Sequence, residues 1–235
     1  MTAKLAKSAK PALPVPLSPI MLRQVALFQP LNDETEAQRV CALFRSQTFR
    51  TGETVFQHGD PGGCMYLIRS GKVRIYLPSL DGREITLRVY GEGEVFGELS
   101  LLDGGPRTAS AETVEPVQAY LLFREDFLNL LRDHFGLVQH VLGLLVERLR
   151  YTTHYTQQLA FMSVPSRIAA VLLQLASENA ASLILITQQD LANYVGTTRE
   201  WVNRALKEFV KRGWVALQRG GVTILDRAAL KQSVL

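Results

Sequence analysis

The sequence has 235 residues, of which 47% are hydrophobic and 20% are charged, and its formal net charge is +4. This length allows one large domain or two small ones, and the composition is that of an ordinary globular protein. No apolar run reaches the roughly 18 residues that a membrane span requires, and two cysteines, Cys41 and Cys64, cannot form a four-thiolate cluster by themselves.

Positive charge is concentrated at the two ends of the chain. Residues 1–12 carry three lysines and no acid, residues 13–162 carry 14 basic and 17 acidic side chains, and residues 163–235 carry nine basic and five acidic ones. Prolines interrupt residues 1–19, so this segment predicts a flexible basic tail and not a signal peptide. We therefore expect a cytoplasmic protein, with a polyanion as the partner of its C-terminal part.

The first predicted elements are helical and are followed by strands. Residues 20–46 have a helical pattern, with Asn32 or Asp33 as N-cap. From about residue 48 to residue 123, short alternating segments are separated by glycine-rich turns, and one of these, Leu80-Asp81-Gly82, predicts a hairpin. Several short strands at regular spacing predict an antiparallel barrel or roll, which places a strand-rich domain at residues 20–123.

A single long helix is predicted from Arg124 to about Ala160. Its apolar positions recur at alternating steps of four and three, as in a coiled coil, which predicts a dimer; the alternative is a helix packed on its own domain. The seam becomes polar at Thr152 and Thr156, and a hydroxyl there needs a polar partner. The seam positions are Val138, Leu142, Leu145, Leu149, Thr152, Thr156 and Leu159.

The segment after this helix predicts a second domain. Pro165 ends the helix, so residues 124–162 form a dimerisation helix with a hinge, and residues 163–235 form a separate domain. In that domain, residues 165–178 predict a helix. The stretch WVALQRGGVTIL predicts a two-stranded hairpin, with Gly220-Gly221 at its turn.

A helix-turn-helix is predicted between those two elements, starting at Gln188. Gly196 makes the turn, and Thr197 or Thr198 caps the second helix. The apolar side chains that face inward at helical spacing are Leu191, Ala192, Val202, Ala205 and Phe209. With the hairpin, this pattern predicts a winged helix-turn-helix.

The outward face of the second helix predicts contact with DNA. Arginine can donate two hydrogen bonds to guanine, and glutamate can accept one from cytosine. The outward residues are Arg199, Glu200, Asn203, Arg204 and Lys207, and those placed for phosphates are Thr198, Lys207, Lys211, Arg212 and Arg219. The alternative is a solvated surface of mixed charge without a partner.

Two motifs carry a resemblance to a known family. FGELSLLDGGPRTAS (96–110) lies in the predicted roll, and TTREWVNRAL (197–206) lies in the predicted recognition helix. With these motifs, and with a strand-rich domain, a long helix and a winged helix-turn-helix in that order, the chain resembles the CRP/FNR family of bacterial transcription regulators over residues 20–230. The resemblance is to its cyclic AMP receptor protein branch in particular. The resemblance implies an α+β fold, in which an antiparallel β-roll is followed by a dimerisation helix and a C-terminal winged helix-turn-helix.

The resemblance also implies a nucleotide site. Gly97 and Glu98 would open a short helix toward the phosphate, Glu98 would bind the ribose 2′-hydroxyl, and Arg107 and Thr108 would bind the cyclic phosphate. One hydroxyl residue from each subunit would contact the adenine. The implied cyclic AMP site comprises Gly97, Glu98, Leu99, Arg107, Thr108, Thr152 and Thr153.

The same resemblance implies a homodimer on DNA that is regulated by cyclic AMP and uses no metal. Arg199, Glu200 and Arg204 match the base-reading residues of the branch, so we expect an operator with inverted TGTGA/TCACA half-sites. Trp201 departs from the branch at an exposed position near the DNA face. RNA polymerase is the expected further partner, with the loop 177–182 as a candidate contact.

Other functions have less support in the sequence. A regulator of the same family that uses another effector, or none, is the main alternative. An iron–sulfur sensor would need a cysteine cluster near the N-terminus, and the four histidines lack ligand spacing. The enzyme motifs GxSxG, HExxH and GxxxxGK are absent from the sequence, so we do not expect an enzyme.

Overall fold

The computed structural model describes residues 16–178 and 183–234. Most of the predicted tail, and most of the loop 177–182, lie outside the described residues. The chain divides into two compact units, one built from residues up to Arg74 together with Val89–Val141, and the other from Ile75–Arg88 together with Leu142 onward. The predicted domain boundaries at residues 20, 124 and 163 stay predictions.

The described residues form both helices and strands, and most of the strands follow one another in the first half of the chain. They are α1 Pro19–Gln24, a 3-10 helix Ala26–Phe28, α2 Glu34–Cys41, β1 Arg45–Phe49, β2 Thr54–Phe56, β3 Cys64–Ser70, β4 Val73–Pro78, β5 Glu84–Tyr90, β6 Val95–Phe96, α3 Leu99–Asp103, β7 Ser110–Thr113, β8 Val117–Phe123, α4 Arg124–Asp133, α5 Phe135–Phe161, α6 Val164–Glu178, β9 Leu183–Leu185, α7 Gln188–Val195, α8 Arg199–Lys211, β10 Val215–Gln218, β11 Gly221–Ile224 and α9 Arg227–Gln232. None of these helices is long and apolar enough to cross a membrane.

The region predicted as helical from 20 to 46 is two short helices joined by a 3-10 turn. The prediction extended too far, because β1 already begins at Arg45. The cap prediction is confirmed for Asp33, whose Oδ1 accepts a hydrogen bond from the Glu36 amide at 2.8 Å.

The predicted antiparallel roll is confirmed. Its strands form two four-stranded sheets, with the orders β1-β8-β3-β6 and β2-β7-β4-β5. The central pair is β3 and β8, in which Tyr66 lies opposite Leu121. The predicted hairpin joins β4 to β5, and Gly82 adopts φ +80 there, a conformation that glycine takes without a steric penalty.

Aromatic rings fill the centre of the roll. Tyr66 on β3 stacks on Phe96 at the end of β6, with ring centroids 4.9 Å apart. Phe56 on β2 packs against both rings, at 5.8 Å from Tyr66 and 6.0 Å from Phe96. This cluster fixes the end of β6, and therefore the start of the segment that follows it.

The long helix predicted from Arg124 to Ala160 is two helices. The chain is extended at His134, with φ −131 and ψ 93, so α4 ends and α5 begins around that residue. His134 Nδ1 lies 3.0 Å from Glu36 Oε1, which holds the junction against α2. The break lets Phe127 on α4 and Leu137 on α5 both be buried in the first unit.

The C-terminal part of the second unit contains the predicted helix-turn-helix, two further helices and a three-stranded sheet. Its core is formed by apolar side chains of α6–α9 and of the sheet β10-β11-β9. The predicted two-stranded hairpin therefore has a third strand, β9, and its turn is formed by Arg219 and Gly220, because Gly221 already belongs to β11. Pro165 is the second residue of α6, so the preceding helix α5 ends at Phe161, before the proline.

Candidate functional site

Two charged side chains are buried where β6 meets α3. Glu98 is 1% exposed and Arg107 is 3% exposed. Glu98 immediately precedes α3, at its N-cap position, and Arg107 lies four residues after the end of that helix. The backbone of Arg107 is fixed by a hydrogen bond from its amide to the Asp60 carbonyl at 2.8 Å, and its carbonyl accepts from the Gly59 amide at 2.9 Å.

The Arg107 guanidinium is held by neutral groups. Its Nη1 donates to the Gly97 carbonyl and its Nη2 donates to the Cys64 carbonyl, each at 2.6 Å. The guanidinium carbon lies 4.2 Å from the centroid of the Phe56 ring, which adds a cation–π contact. No salt bridge joins Arg107 to a carboxylate in the described part of the chain. Among the described residues, the site therefore contains a buried positive charge with no carboxylate at salt-bridge distance.

Gly97 is required by this geometry for two reasons. Its φ of +79 is a conformation that side-chain-bearing residues rarely adopt. A Cβ atom at this position would also lie 2.8 Å from Arg107 Nη1 and 3.5 Å from the Phe56 ring. The absence of a side chain lets the backbone carbonyl of Gly97 approach the guanidinium.

The aromatic side chains beside Arg107, Phe56 and Tyr66, carry no charge. Burial raises the pKa of the Tyr66 hydroxyl, and a hydrogen bond with Cys64 raises it further. Since the tyrosine stays neutral at physiological pH, the positive charge of Arg107 is not cancelled by a phenolate.

The other residues of the predicted nucleotide site are partly or fully exposed. Leu99 is the half-buried first residue of α3, and Thr108 is exposed directly after Arg107. Thr152 and Thr153 are exposed on α5, in the second unit, where the Thr153 hydroxyl donates to the Leu149 carbonyl at 2.8 Å. The structure brings together Gly97, Glu98 and Arg107.

The helix-turn-helix has the predicted geometry. Its first helix, α7, begins with a capping box, in which Thr187 Oγ1 accepts from the Asp190 amide at 3.0 Å. Gly196 ends the helix in the left-handed conformation, with φ 68 and ψ 49. On the second helix, Val202, Ala205 and Phe209 are buried as predicted.

The start of α8 differs in detail from the prediction. Thr198 is at the N-cap position, but its side chain makes no capping hydrogen bond. Glu200 is the second residue of α8 and is exposed. Its position beside its own backbone N–H group and the Thr198 hydroxyl lowers the pKa of the Glu200 carboxyl.

The outward side chains of α8 lie together on one surface. Arg199, Glu200, Asn203, Arg204 and Lys207 line an open hollow of about 510 Å³. Lys211, near the end of the helix, and Arg219, at the tip of the hairpin, are exposed. Among the described residues, no group of three or more His, Cys, Asp or Glu side chains could hold a metal ion.

Comparison with known families decides the identity of these two parts. The family model described as the cyclic nucleotide-binding domain matches residues 46–134, and the one described as the Crp-like helix-turn-helix domain matches residues 166–233. The chain belongs to the CRP family. Members of the family are transcription regulators and not enzymes.

Relatives of this CRP-family protein cover most of its length. A CRP-like cAMP-activated global transcriptional regulator of Mycobacterium tuberculosis is 41% identical over 77% of this chain and 84% of the relative. The cyclic AMP receptor protein of Thermus thermophilus is 40% identical over 88% of this chain and 95% of the relative. Among solved structures, the c-di-GMP responsive global regulator CLP of Xanthomonas campestris is 28% identical, with a TM-score of 0.75, and the match covers 82% of this chain and 99% of that one.

Several contacts of this CRP-family protein could not be read from its sequence. The Cys64 carbonyl holds Arg107 although it is 43 residues away in the chain, and no side-chain pattern marks a backbone acceptor. Asn203 donates to Gln188 Oε1 at 3.2 Å, so α7 orients a side chain of α8. Arg212, predicted as a phosphate contact, is bonded through Nε to Glu208 Oε1 at 2.8 Å. That pair could have been predicted from the spacing of four residues.

Proposed function

We propose that this protein is a cyclic AMP-responsive transcription regulator that binds inverted-repeat operators as a homodimer. One observation carries the nucleotide part of the proposal: Arg107 is 3% exposed and has no carboxylate partner among the residues that the structure describes. A buried charge is costly unless a counter-charge reaches it. A cyclic phosphate would supply that counter-charge, and the planar fork of arginine suits two of its oxygens.

The remaining groups of the first site fit the other parts of a nucleotide. Glu98 is buried beside Gly97, at the start of α3, and its carboxylate would accept from the ribose 2′-hydroxyl. Thr108 would add a hydroxyl donor to the phosphate, and Leu99 would line the site. Thr152 and Thr153 would contact the adenine, one from each subunit. Such a ligand would bias how the two α5 helices pack, and thereby the DNA-binding domains.

The second site supports sequence-specific binding of double-stranded DNA. Arg199, Glu200 and Arg204 would read base edges in the major groove. Thr198, Asn203, Lys207, Lys211 and Arg219 would contact the backbone or flank the reading residues. On these residues we propose an operator that resembles the inverted TGTGA/TCACA half-sites.

The exposed apolar side of α5 supports the homodimer. Leu142 is 57% exposed and Leu149 is 66% exposed, although both lie on the predicted seam. A second copy of α5 would bury this stripe through the alternating spacing of a coiled coil. An inverted-repeat operator would then match the two-fold symmetry of the dimer.

Two further parts of the proposal follow from this role. A regulator that binds the chromosome would act in the cytoplasm of a bacterium. Activation would require a contact with RNA polymerase, for which we retain the loop 177–182 as the candidate, although most of it lies outside the described residues.

A second candidate function is a regulator with another effector or none. Both terminal nitrogens of Arg107 already donate to carbonyls at 2.6 Å, so the side chain is held without a ligand. The Xanthomonas campestris relative is described as c-di-GMP responsive, so we include that nucleotide as a competing effector.

Calorimetric titration of the purified protein with cyclic AMP, cyclic GMP and c-di-GMP tests the proposal. We expect cyclic AMP to bind the wild-type chain and not Arg107→Ala. Arg45→Ala is the matched control, because Arg45 also lies over an aromatic ring, that of Phe123 at 4.8 Å, but is exposed on β1. Binding of c-di-GMP alone, or of no nucleotide, would favour the second candidate.

A further inference from the structure

A large aromatic side chain lies exposed on the proposed recognition helix. Trp201 is the third residue of α8 and is 48% exposed, whereas its neighbour Val202 is completely buried in the core of the domain. Packing in the core of the domain therefore does not account for a tryptophan at this position. Exposed aromatic rings of this size are characteristic of surfaces that take part in recognition.

The guanidinium of Arg204 lies over the indole ring of Trp201. The guanidinium carbon of Arg204 lies 4.9 Å from the Trp201 ring centroid, one helical turn further along α8. A planar guanidinium stacks on an aromatic ring without using its N–H donors, which point outward in the plane of the group. The ring can therefore fix the position of the guanidinium and leave its hydrogen bonds available.

A second arginine of the same domain, Arg212, lies over an aromatic ring and is also neutralised by a carboxylate. Arg212 lies 4.9 Å from the Trp214 ring centroid, and its Nε also donates to Glu208 at 2.8 Å. Arg204 has the ring but no such carboxylate in the described part of the chain. This difference indicates that the hydrogen-bond donors of Arg204 remain available for an acceptor on another molecule.

We propose that Trp201 is a positioning residue for Arg204, which it holds in the orientation that reads a guanine in the operator. The inference rests on the proposed DNA-binding function and adds a residue that determines its specificity. Arginine recognises guanine by donating to O6 and N7 together, so a guanidinium ordered before binding loses less freedom when it forms both bonds. Without the ring, Arg204 would keep its charge but lose its fixed direction.

The test uses the full chain with cyclic AMP present and an operator selected from random DNA. Each guanine of that operator is replaced in turn by 7-deazaguanine, which lacks the N7 acceptor. The guanine read by Arg204 is the one whose replacement weakens the wild-type protein, by roughly tenfold, but not Arg204→Ala. The measured quantity is the ratio of dissociation constants for the modified and unmodified operators.

We expect Trp201→Ala to reduce that ratio to roughly twofold or less, because the N7 contact is no longer formed reliably. Trp201→Phe should keep most of the ratio, since a smaller ring still stacks. Val210→Ala is the matched control, because it removes an exposed apolar side chain from the same helix and should leave the ratio unchanged. Circular dichroism checks that each variant is folded.

Two results would overturn the inference. A Trp201→Ala protein that binds both operators more weakly but keeps the wild-type ratio would mean that the indole contacts DNA directly or only stabilises the helix. If the wild-type chain enriched no sequence at all, the proposed function would fail, and this inference with it.

Discussion

Substitution of Gly97 by alanine tests the geometry of the nucleotide site most directly. Alanine at φ +79 costs about 1–2 kcal/mol in the left-handed region. The new Cβ would lie 2.8 Å from Arg107 Nη1, so the guanidinium has to move away from the Gly97 carbonyl. Loss of that charged hydrogen bond costs a further 1.5–3 kcal/mol, approximately. We expect about 2.5–5 kcal/mol less stability, and a roughly ten- to hundredfold weaker affinity for cyclic AMP.

Gly52 supplies the matched control for this prediction. It has a similar φ of +72 in the same unit, but a Cβ there would meet no atom within 4 Å. Gly52→Ala should therefore show the backbone cost of about 1–2 kcal/mol in urea unfolding, with unchanged cyclic AMP affinity in calorimetry. If Gly97→Ala bound cyclic AMP as tightly as Gly52→Ala does, the position of the Arg107 guanidinium would not control nucleotide binding.

Other predictions concern α5 and the DNA-binding domain. Leu149→Glu places charge on the exposed seam and should convert the proposed dimer to monomer in sedimentation experiments; an unchanged mass would contradict an interface at this seam. Gly196→Ala should lower stability by about 1–2 kcal/mol in thermal unfolding, because φ is +68 and a Cβ would lie 3.3 Å from Ile85. Lys207→Ala should reduce the salt slope of log K for DNA by about 0.9 if the lysine contacts one phosphate. The pKa of Glu200 is lower in the folded protein than its unfolded value near 4.5. The stability that the ionised carboxylate contributes is therefore present above pH 4.5 and is lost as the pH falls through the lower folded pKa. In urea unfolding at decreasing pH, Glu200→Gln should lose less stability than the wild-type protein.

Local patterns in the sequence predict two of the turns in which a glycine fixes the chain direction. Gly82 and Gly196 were placed in turns because few other residues adopt positive φ, and both do so in the structure, at +80 and +68. The inward stripe of α8 followed from helical spacing, since Val202 and Phe209 differ by seven residues and face the same core.

Features that depend on distant contacts could not be predicted in this way. The break at His134 is accompanied by its contact with Glu36, almost a hundred positions earlier, and helical periodicity continues across it. Strand β9 has only three residues, Leu183–Leu185, and becomes recognisable through its pairing with β11. At the nucleotide site, the sequence marked the charged residues but not the carbonyl of Cys64, because every residue carries a carbonyl.

Both proposed sites present an arginine in the same manner. Arg107 lies over Phe56 and Arg204 over Trp201, and neither has a carboxylate partner among the described residues. Some other arginines are paired with a carboxylate, as Arg23 is with Glu34 at 2.6 Å. An aromatic ring fixes the guanidinium while its donors remain directed at other groups, which suits recognition of an anion or a base.

Ring stacking alone does not identify such a site, because Arg45 also lies over Phe123. Arg45 is exposed on an edge strand, where water solvates its charge, so it has no comparable need for an anion. Arg107 is buried and has that need. If Arg45→Ala and Arg107→Ala lowered cyclic AMP affinity equally, burial would not be the deciding property. If only Arg107→Ala does so, burial without a counter-charge is what makes this arginine a ligand-binding residue.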